Sequence, residues 1–481
     1  MNKYSSKRAP KALLLALFFH LALSTPGYSQ DMSVGSSSAP APAQAGQKAF
    51  SLQHAIDYAL QSSATVQNAQ LDVQSAKARV GEIRAVGLPQ ITAQGQITDN
   101  IIIRTTFLPG NLGNLFSPNA PNPGSAPPDA PPTPVQFGVR YAGSGSINAS
   151  QLIFDGSYFV GLKAASTYNL LAQKNLTQSK VNTVESVTKA YYGVLVAQER
   201  LKLLEYNVKR LDTLFQQTQL QYKNGFVEKI DVDRIEVQFN NLQVDQQRTT
   251  RLVELNRALL KFQMGYSPNE PIELTDQLLP ENVENLRVES QGKLDYGQRI
   301  EYSLLQTQKE LNLLDLKNNR AGYYPRLVAV GSFGYNRESN RFDFFTNRWF
   351  SNASIGLNLT IPIFDGLGKY YKNQQAKLSY QKTINSTRQL ENSIDLQVQQ
   401  ARISLINGLD ALKTQRRNLE LAERVAQVSK IKYQQGVGSN IEVINAEASF
   451  KEAQTNYYTA LYDAIIAKID VDKATGKLYT E

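Results

Sequence analysis

Cysteine is missing from all 481 residues, and histidine occurs only twice, at His20 and His54. Without cysteine there is no disulfide framework, no thiolate centre and no site for lipoprotein acylation. Two histidines are too few for the His-based zinc sites, which draw on several His or Cys ligands. The chain also lacks a Gly-x-Ser-x-Gly elbow, a phosphate-cradling glycine loop and any long Lys/Arg run. That sets aside hydrolase and nucleotide chemistry and nucleic acid as a partner. Carboxylates are the remaining candidates for acid–base work, and they all sit in repetitive helical or turn contexts. No catalytic residue, cofactor or metal is expected, and the chain is not read as an enzyme. Long apolar runs are missing too. Past the N-terminus no stretch is apolar enough for a spanning helix, so membrane passage has to be made by a closed β-barrel. Proline is absent from residues 157–264 and from 366 to the end, as long uninterrupted helices require.

Among the features present, Lys3, Lys7, Arg8 and Lys11, the apolar residues 12–23 and the small residues near Ser29 and Gln30 have the order of a secretory signal. A signal peptide is expected over residues 1–30, followed by a flexible Ser-, Gly-, Ala- and Pro-rich linker over 31–50. The rest divides into a first structural repeat (51–270), a connector (271–295) and a second repeat (296–481).

Each repeat opens with a helical pattern, from the natural N-cap Ser51 to Pro89 and from about Tyr296 to Pro325. The period then changes to two. Ile91, Ala93, Gly95 and Ile97 alternate with Thr and Gln, and Leu327, Ala329, Gly331, Phe333 and Tyr335 do the same in the second repeat. Return strands lead to Ile153-Phe154-Asp155-Gly156, with Asp155 placed to cap the next helix, and to Ile363-Phe364-Asp365-Gly366. Between the first pair of strands, residues 104–135 hold nine of the nineteen prolines, which predicts an irregular loop. A charged loop with Arg337, Glu338, Arg341 and Asp343 replaces it in the second repeat. The alternation fits an outer-membrane strand. Two strands per repeat make four per chain, too few to close a barrel around a lumen, so closure calls for several chains.

The helical leg from residue 157 to Tyr222 is about 100 Å long at 1.5 Å per residue. It reverses at Tyr222-Lys-Asn-Gly225-Phe226-Val227, and its counterpart reverses at Tyr433-Gln-Gln-Gly436-Val437. Beyond the first tip, Val232, Ile235, Phe239 and Leu242 recur at steps of three and four, a coiled-coil seam. A constant spacing of 211 residues carries them onto Val443, Ala446, Phe450 and Ala453, and carries Gly265 onto Gly476. One helical hairpin is written twice.

The duplicated order of helix, proline, strand, loop, strand, Phe-Asp-Gly, long helix, Tyr-x-x-Gly tip and returning helix resembles the TolC-like outer-membrane efflux proteins over nearly all of the mature chain. The resemblance implies a mainly α fold with a β-barrel portion. In it, a homotrimer forms a twelve-stranded outer-membrane barrel, four strands per chain, continuous with a periplasmic α-helical barrel. It also implies an exit duct in the outer membrane, joined to a periplasmic adaptor protein and to an inner-membrane pump or ABC exporter, and passing solutes or polypeptides. By position, Gly225, Phe226, Val227, Gly436 and Val437 would contact the adaptor. Asp231 and Tyr433 would be hydrogen-bonded to hold the periplasmic end shut. Glu442 and Asn445 would stand at the narrowest point. Two departures are visible: Ile230 stands where some members carry Thr, and Gly438 where the best-studied pattern has Arg. A pore-less coiled-coil scaffold of the cell envelope is the alternative. It explains the helices but leaves the alternating strands without a role.

Overall fold

In a computed structural model that describes residues 48–108, 131–278, 283 and 294–479, the described residues begin with strand β1 (Lys48–Phe50) and helices α1 (Leu52–Ser62) and α2 (Ala64–Ala85). Strands β2 (Gln90–Asp99), β3 (Thr105–Leu108), β4 (Thr133–Gln136) and β5 (Tyr141–Asp155) follow. The first hairpin is α3 (Gly156–Lys223) and α4 (Lys229–Met264), after which comes strand β6 (Ile272–Leu274). A 3₁₀ turn at Tyr296–Gln298 opens the second half. It comprises α5 (Ile300–Ala321), β7 (Arg326–Ser339), β8 (Phe350–Thr360) and the second hairpin, α6 (Gly368–Gln434) and α7 (Asn440–Ala474).

Local chemistry accounts for most boundaries. The Ser51 hydroxyl accepts from the His54 amide, and the Asp155 carboxylate accepts from the amides of Ser157 and Tyr158, each satisfying free donors at a helix start. The long helices of 68 and 67 residues run through the proline-free stretches. They reverse at Gly225 (φ 79°) and Gly436 (φ 74°), a backbone region open to glycine at little cost.

The four long strands form one antiparallel sheet in the order β2-β5-β7-β8. In register, Ile91 faces Ala149, which faces Gly331, which faces Ile355, while Ile147 faces Phe333. Residues directly opposite share a face. One side is therefore Ile91, Ile97, Ile147, Phe333, Ile355, Leu357 and Leu359, all exposed and Ile355 as much as 96%. The other side is lined by Gln90, Thr92, Asn148, Ser150, Ser332 and Ser354 around a shallow polar concavity. Apolar outside and polar inside is the pattern of a barrel wall in lipid. No helix among the described residues is long and apolar enough to cross a membrane.

The helices pack along the expected seams. Val232, Ile235 and Leu242 are buried, as are Val443, Ala446, Phe450, Ala453 and Tyr457, and in α6 Ile394, Val398, Ala401, Leu405 and Leu412. The largest core lies near the middle of the hairpins, where Phe50, Ala55, Ala59, Val187, Tyr191, Leu260 and Met264 pack together. Tyr191 is locked there by donating to the Phe50 carbonyl at 2.9 Å.

The structure corrects several boundaries. Lys48–Phe50, expected at the end of a flexible linker, form β1 and pair in parallel with Ile272–Leu274 of the connector. The cause is tertiary: Phe50 is fully buried, which the low-complexity sequence before it does not foretell. The loop expected over 104–135 is not wholly irregular, because Thr105–Leu108 pair with Thr133–Gln136. The first helix is two helices, split at Ser63. In the second repeat Phe364-Asp365-Gly366 does not cap as its counterpart does: the helix starts two residues later, with Asp365 accepting from the Lys369 amide. The expected signal peptide, most of the linker, residues 109–130 of the Pro-rich loop and residues 279–282 and 284–293 of the connector lie outside the described residues.

Gly265 and Gly476 show the duplication at atomic scale. Both have positive φ, and a Cβ on either would lie 2.6 Å from a backbone carbonyl oxygen, that of Ser62 or of Gln298. Strain and clash add, so Gly265→Ala is expected to cost about 2 kcal/mol or more. The cost would show as a lower thermal midpoint, and Gly161→Ala, where a Cβ meets open space, should leave the midpoint unchanged or raise it.

Candidate functional site

The two hairpin tips lie side by side and are built alike. At the first, the Phe226 amide donates to the Gln221 carbonyl at 2.9 Å; at the second, the Val437 amide donates to the Lys432 carbonyl at 3.0 Å. These closures satisfy carbonyls left free at the helix ends and push the next side chains outward. Phe226 is 81% exposed and Val437 78%, while Val227 is half-buried beside them. Gly438 is constrained differently: a Cβ there would lie 2.9 Å from that of Lys432 and 3.0 Å from the Tyr433 amide nitrogen, so any side chain at this position needs a different turn.

Asp231 and Tyr433 each have another partner. The Asn440 side-chain amide donates to both the carbonyl (2.9 Å) and the carboxylate (3.0 Å) of Asp231. The Tyr433 hydroxyl lies 3.4 Å from the Gln221 side-chain oxygen, a long bond. Geometry explains the exchange. The hairpins run in parallel, so the first turn of α4 meets the first turn of α7, and the last turn of α3 meets the last turn of α6. Asp231 belongs to the first pair of turns and Tyr433 to the second. Asn440 is 5% exposed, which makes its two bonds costly to leave unmade. Beneath them Leu214, Ile235 and Val443 form a small buried cluster with Tyr433 against it.

Glu442 and Asn445 are exposed one turn apart on α7, away from the seam residues Val443 and Ala446. Glu442 is the counterpart of Asp231 at the 211-residue spacing, yet only Asp231 is held. The duplicated acids have taken different environments.

Above the tips a ladder of polar pairs joins the hairpins, and sequence reasoning did not find it. Arg210 pairs with Glu447, Lys451 with Asp245, and Asn207 donates to Gln454 at 2.6 Å. Near the middle of the hairpins, Lys189 meets Asp470 and Lys473 meets Glu185, each at 2.6 Å. Burial is the largest influence on Glu447 and outweighs the attraction of Arg210 and Lys430, so its carboxyl sits above the usual carboxylate range. Burial also opposes the charge on Glu185, but hydrogen bonds from Lys189 and Lys473 together prevail and hold that carboxyl below the usual range. Arg210 and Glu447 are 237 residues apart, and each alone looks like an ordinary helix-surface charge. Among the described residues no group of His, Cys, Asp or Glu is placed to hold a metal.

Comparison with known proteins gives a consistent result. The family profile described as "Outer membrane efflux protein" matches residues 55–261 and 308–477, one segment in each half. The outer membrane protein TolC of Vibrio cholerae is 21% identical over 70% of this chain and 77% of that protein. The alkaline protease secretion protein AprF of Pseudomonas aeruginosa is also 21% identical, over 67% of each. The crystal structure of the outer membrane protein VceC from Vibrio cholerae shares the fold at 16% identity, with a TM-score of 0.67 over 88% of this chain and 96% of that one.

Proposed function

Because this chain belongs to the outer membrane efflux protein family, channels of the outer membrane that extend into the periplasm, we propose that three copies assemble into one duct whose periplasmic end is shut at the hairpin tips. The observation that carries this reading is the four-stranded sheet. Its apolar face is bare, its two edge strands, β2 and β8, have no further strand partner among the described residues, and β5 runs directly into the long helix α3. An unpaired strand edge is not viable in lipid, and four strands enclose no lumen. Copies of the same sheet joined edge to edge answer both requirements. Exposed Leu255 and Phe262 on the helices support the same assembly, since they gain cover from a neighbouring hairpin.

The tips supply the other contacts. Phe226 and Val437, with Gly225, Val227 and Gly436, offer a small apolar surface to a periplasmic adaptor, which in turn joins an inner-membrane pump or ABC exporter. The latch is Asp231 with Asn440 and Tyr433 with Gln221. Copies of Glu442 facing the axis, with Asn445 a turn further, form a constriction that favours cations.

Single-channel recording of the purified protein in a planar bilayer tests the reading. Wild type is expected to show small, cation-preferring conductance, and Glu442→Gln should cut that preference severalfold without opening the channel. A folded trimer that never conducts would overturn the duct, and unchanged selectivity would remove Glu442 from the constriction.

A further inference from the structure

The loop between β7 and β8 is folded back on the barrel wall. Phe344 is buried, and the Trp349 indole donates to its carbonyl at 2.8 Å. Arg337 clamps the loop by pairing with Asp343 and by donating to the Arg348 carbonyl at 2.9 Å. A Cβ on Gly143 would lie 2.7 Å from the Phe344 ring and 2.9 Å from that of Trp349. Gly143 pairs with Ile97 on one side and Arg337 on the other, within the apolar row of the sheet. The loop therefore covers the lipid-facing side, at the end away from the helices, and on the two central strands rather than on an edge that barrel closure would use.

The height is also fixed. From Leu327 to Arg337 the strand advances about 34 Å, or about 26 Å along the membrane normal at a 40° tilt, which is the thickness of the apolar band of such barrels. The aromatic cluster of Tyr141, Phe342, Phe344 and Trp349 thus stands at the outer boundary between acyl chains and headgroups, with Phe342 and Phe345 exposed. Charge there is unbalanced. Asp99 is neutralised by Arg140 and Asp343 by Arg337; of what remains, Arg341 and Arg348, both exposed, have no acidic partner among the described residues and outnumber the single further acid, exposed Glu338.

We propose that this loop binds the phosphate-bearing headgroup of an outer-leaflet glycolipid. Arg341 and Arg348 take the phosphate, and Phe342 and Phe345 rest on the acyl chains. Guanidinium suits phosphate because its fork donates two parallel bonds, and exposed rings suit a boundary that is half apolar.

The test compares thermal unfolding of the detergent-purified channel during titration with lipid A carrying its phosphates, with dephosphorylated lipid A and with phosphatidylethanolamine. Wild type is expected to gain thermal midpoint with phosphorylated lipid A at concentrations about tenfold or more below those needed by Arg341→Gln/Arg348→Gln or with the dephosphorylated form. Inorganic phosphate alone should give no shift. Both arginines are exposed and have no acidic partner among the described residues, so the variant should match wild type without lipid. The comparison of the two lipid A forms on wild type stands independently of any variant. Equal response to both forms, a variant indistinguishable from wild type, or an equal shift from inorganic phosphate would each overturn the proposal.

Discussion

Asn440→Ala is expected to open the periplasmic end more than Asp231→Ala, and Asp231→Ala more than Tyr433→Phe. The order follows from the bonds each change removes. Asn440 donates to both the carbonyl and the carboxylate of Asp231. Asp231→Ala keeps the first of these, while Tyr433→Phe removes only the 3.4 Å bond to Gln221. A hydrogen bond to a charged group is worth about 1.5–3 kcal/mol, so losing it shifts a closed-to-open equilibrium about ten- to a hundredfold in each protomer. Single-channel recording should therefore find the open level rare in wild type and common in Asn440→Ala, with Asn440→Ala/Tyr433→Phe the most open. A double-mutant cycle locates the contact. Asn440 and Asp231 should be strongly non-additive, whereas Asp231 and Tyr433 should add. Strong coupling between Asp231 and Tyr433 instead would mean that closure in the assembled channel uses the pair suggested by family position.

Arg210→Ala is the second large effect. Arg210 and Glu447 retain only 18% and 17% side-chain exposure. Removing the arginine alone leaves a carboxylate facing apolar neighbours, a loss of about 3 kcal/mol, at the low end for a broken buried pair because both groups keep some contact with water. Hydrogen exchange should speed up in α3 and α7 around the pair and remain slow near Tyr191. Arg210→Met/Glu447→Leu should recover most of the loss, since the attraction of such a pair barely exceeds the cost of desolvating it. The pH dependence has a definite sign. A carboxyl raised above its ordinary value of 4.5 binds its proton more tightly in the packed seam than in the unfolded chain. The penalty for its burial is thus absent below pH 4.5 and grows as pH climbs through the folded-state value. Acidification from neutrality should tighten the seam near the tips, and Glu447→Gln should remove that response. Glu185 acts oppositely: its stabilisation is present above 4.5 and is lost as pH falls through its lowered folded-state value.

The sequence by itself determined what depends on neighbours a few residues away. Absence of proline and steps of three and four made the long hairpins visible, because helix continuity and an apolar stripe are local properties. Positive-φ glycine marked both tips, Ser51 and Asp155 marked helix starts, and alternation marked the four long strands and their lipid-facing rows. The 211-residue spacing revealed the duplication. Tertiary structure alone decided which of these local features meet. Asp231 received Asn440 rather than Tyr433 because the parallel hairpins align like ends, and no local pattern encodes their stagger. Arg210 met Glu447 across 237 residues because of the rotation of α3 against α7. Phe50 became core, and drew Lys48–Phe50 into a strand, only because Ile272–Leu274 lay beside it. The β7–β8 loop looked like an ordinary charged connection until folding placed Phe344 and Trp349 over Gly143. Short-range periodicity fixes what each segment is. The choice among partners far apart in the chain depends on register, rotation and burial, which exist only once the segments have packed.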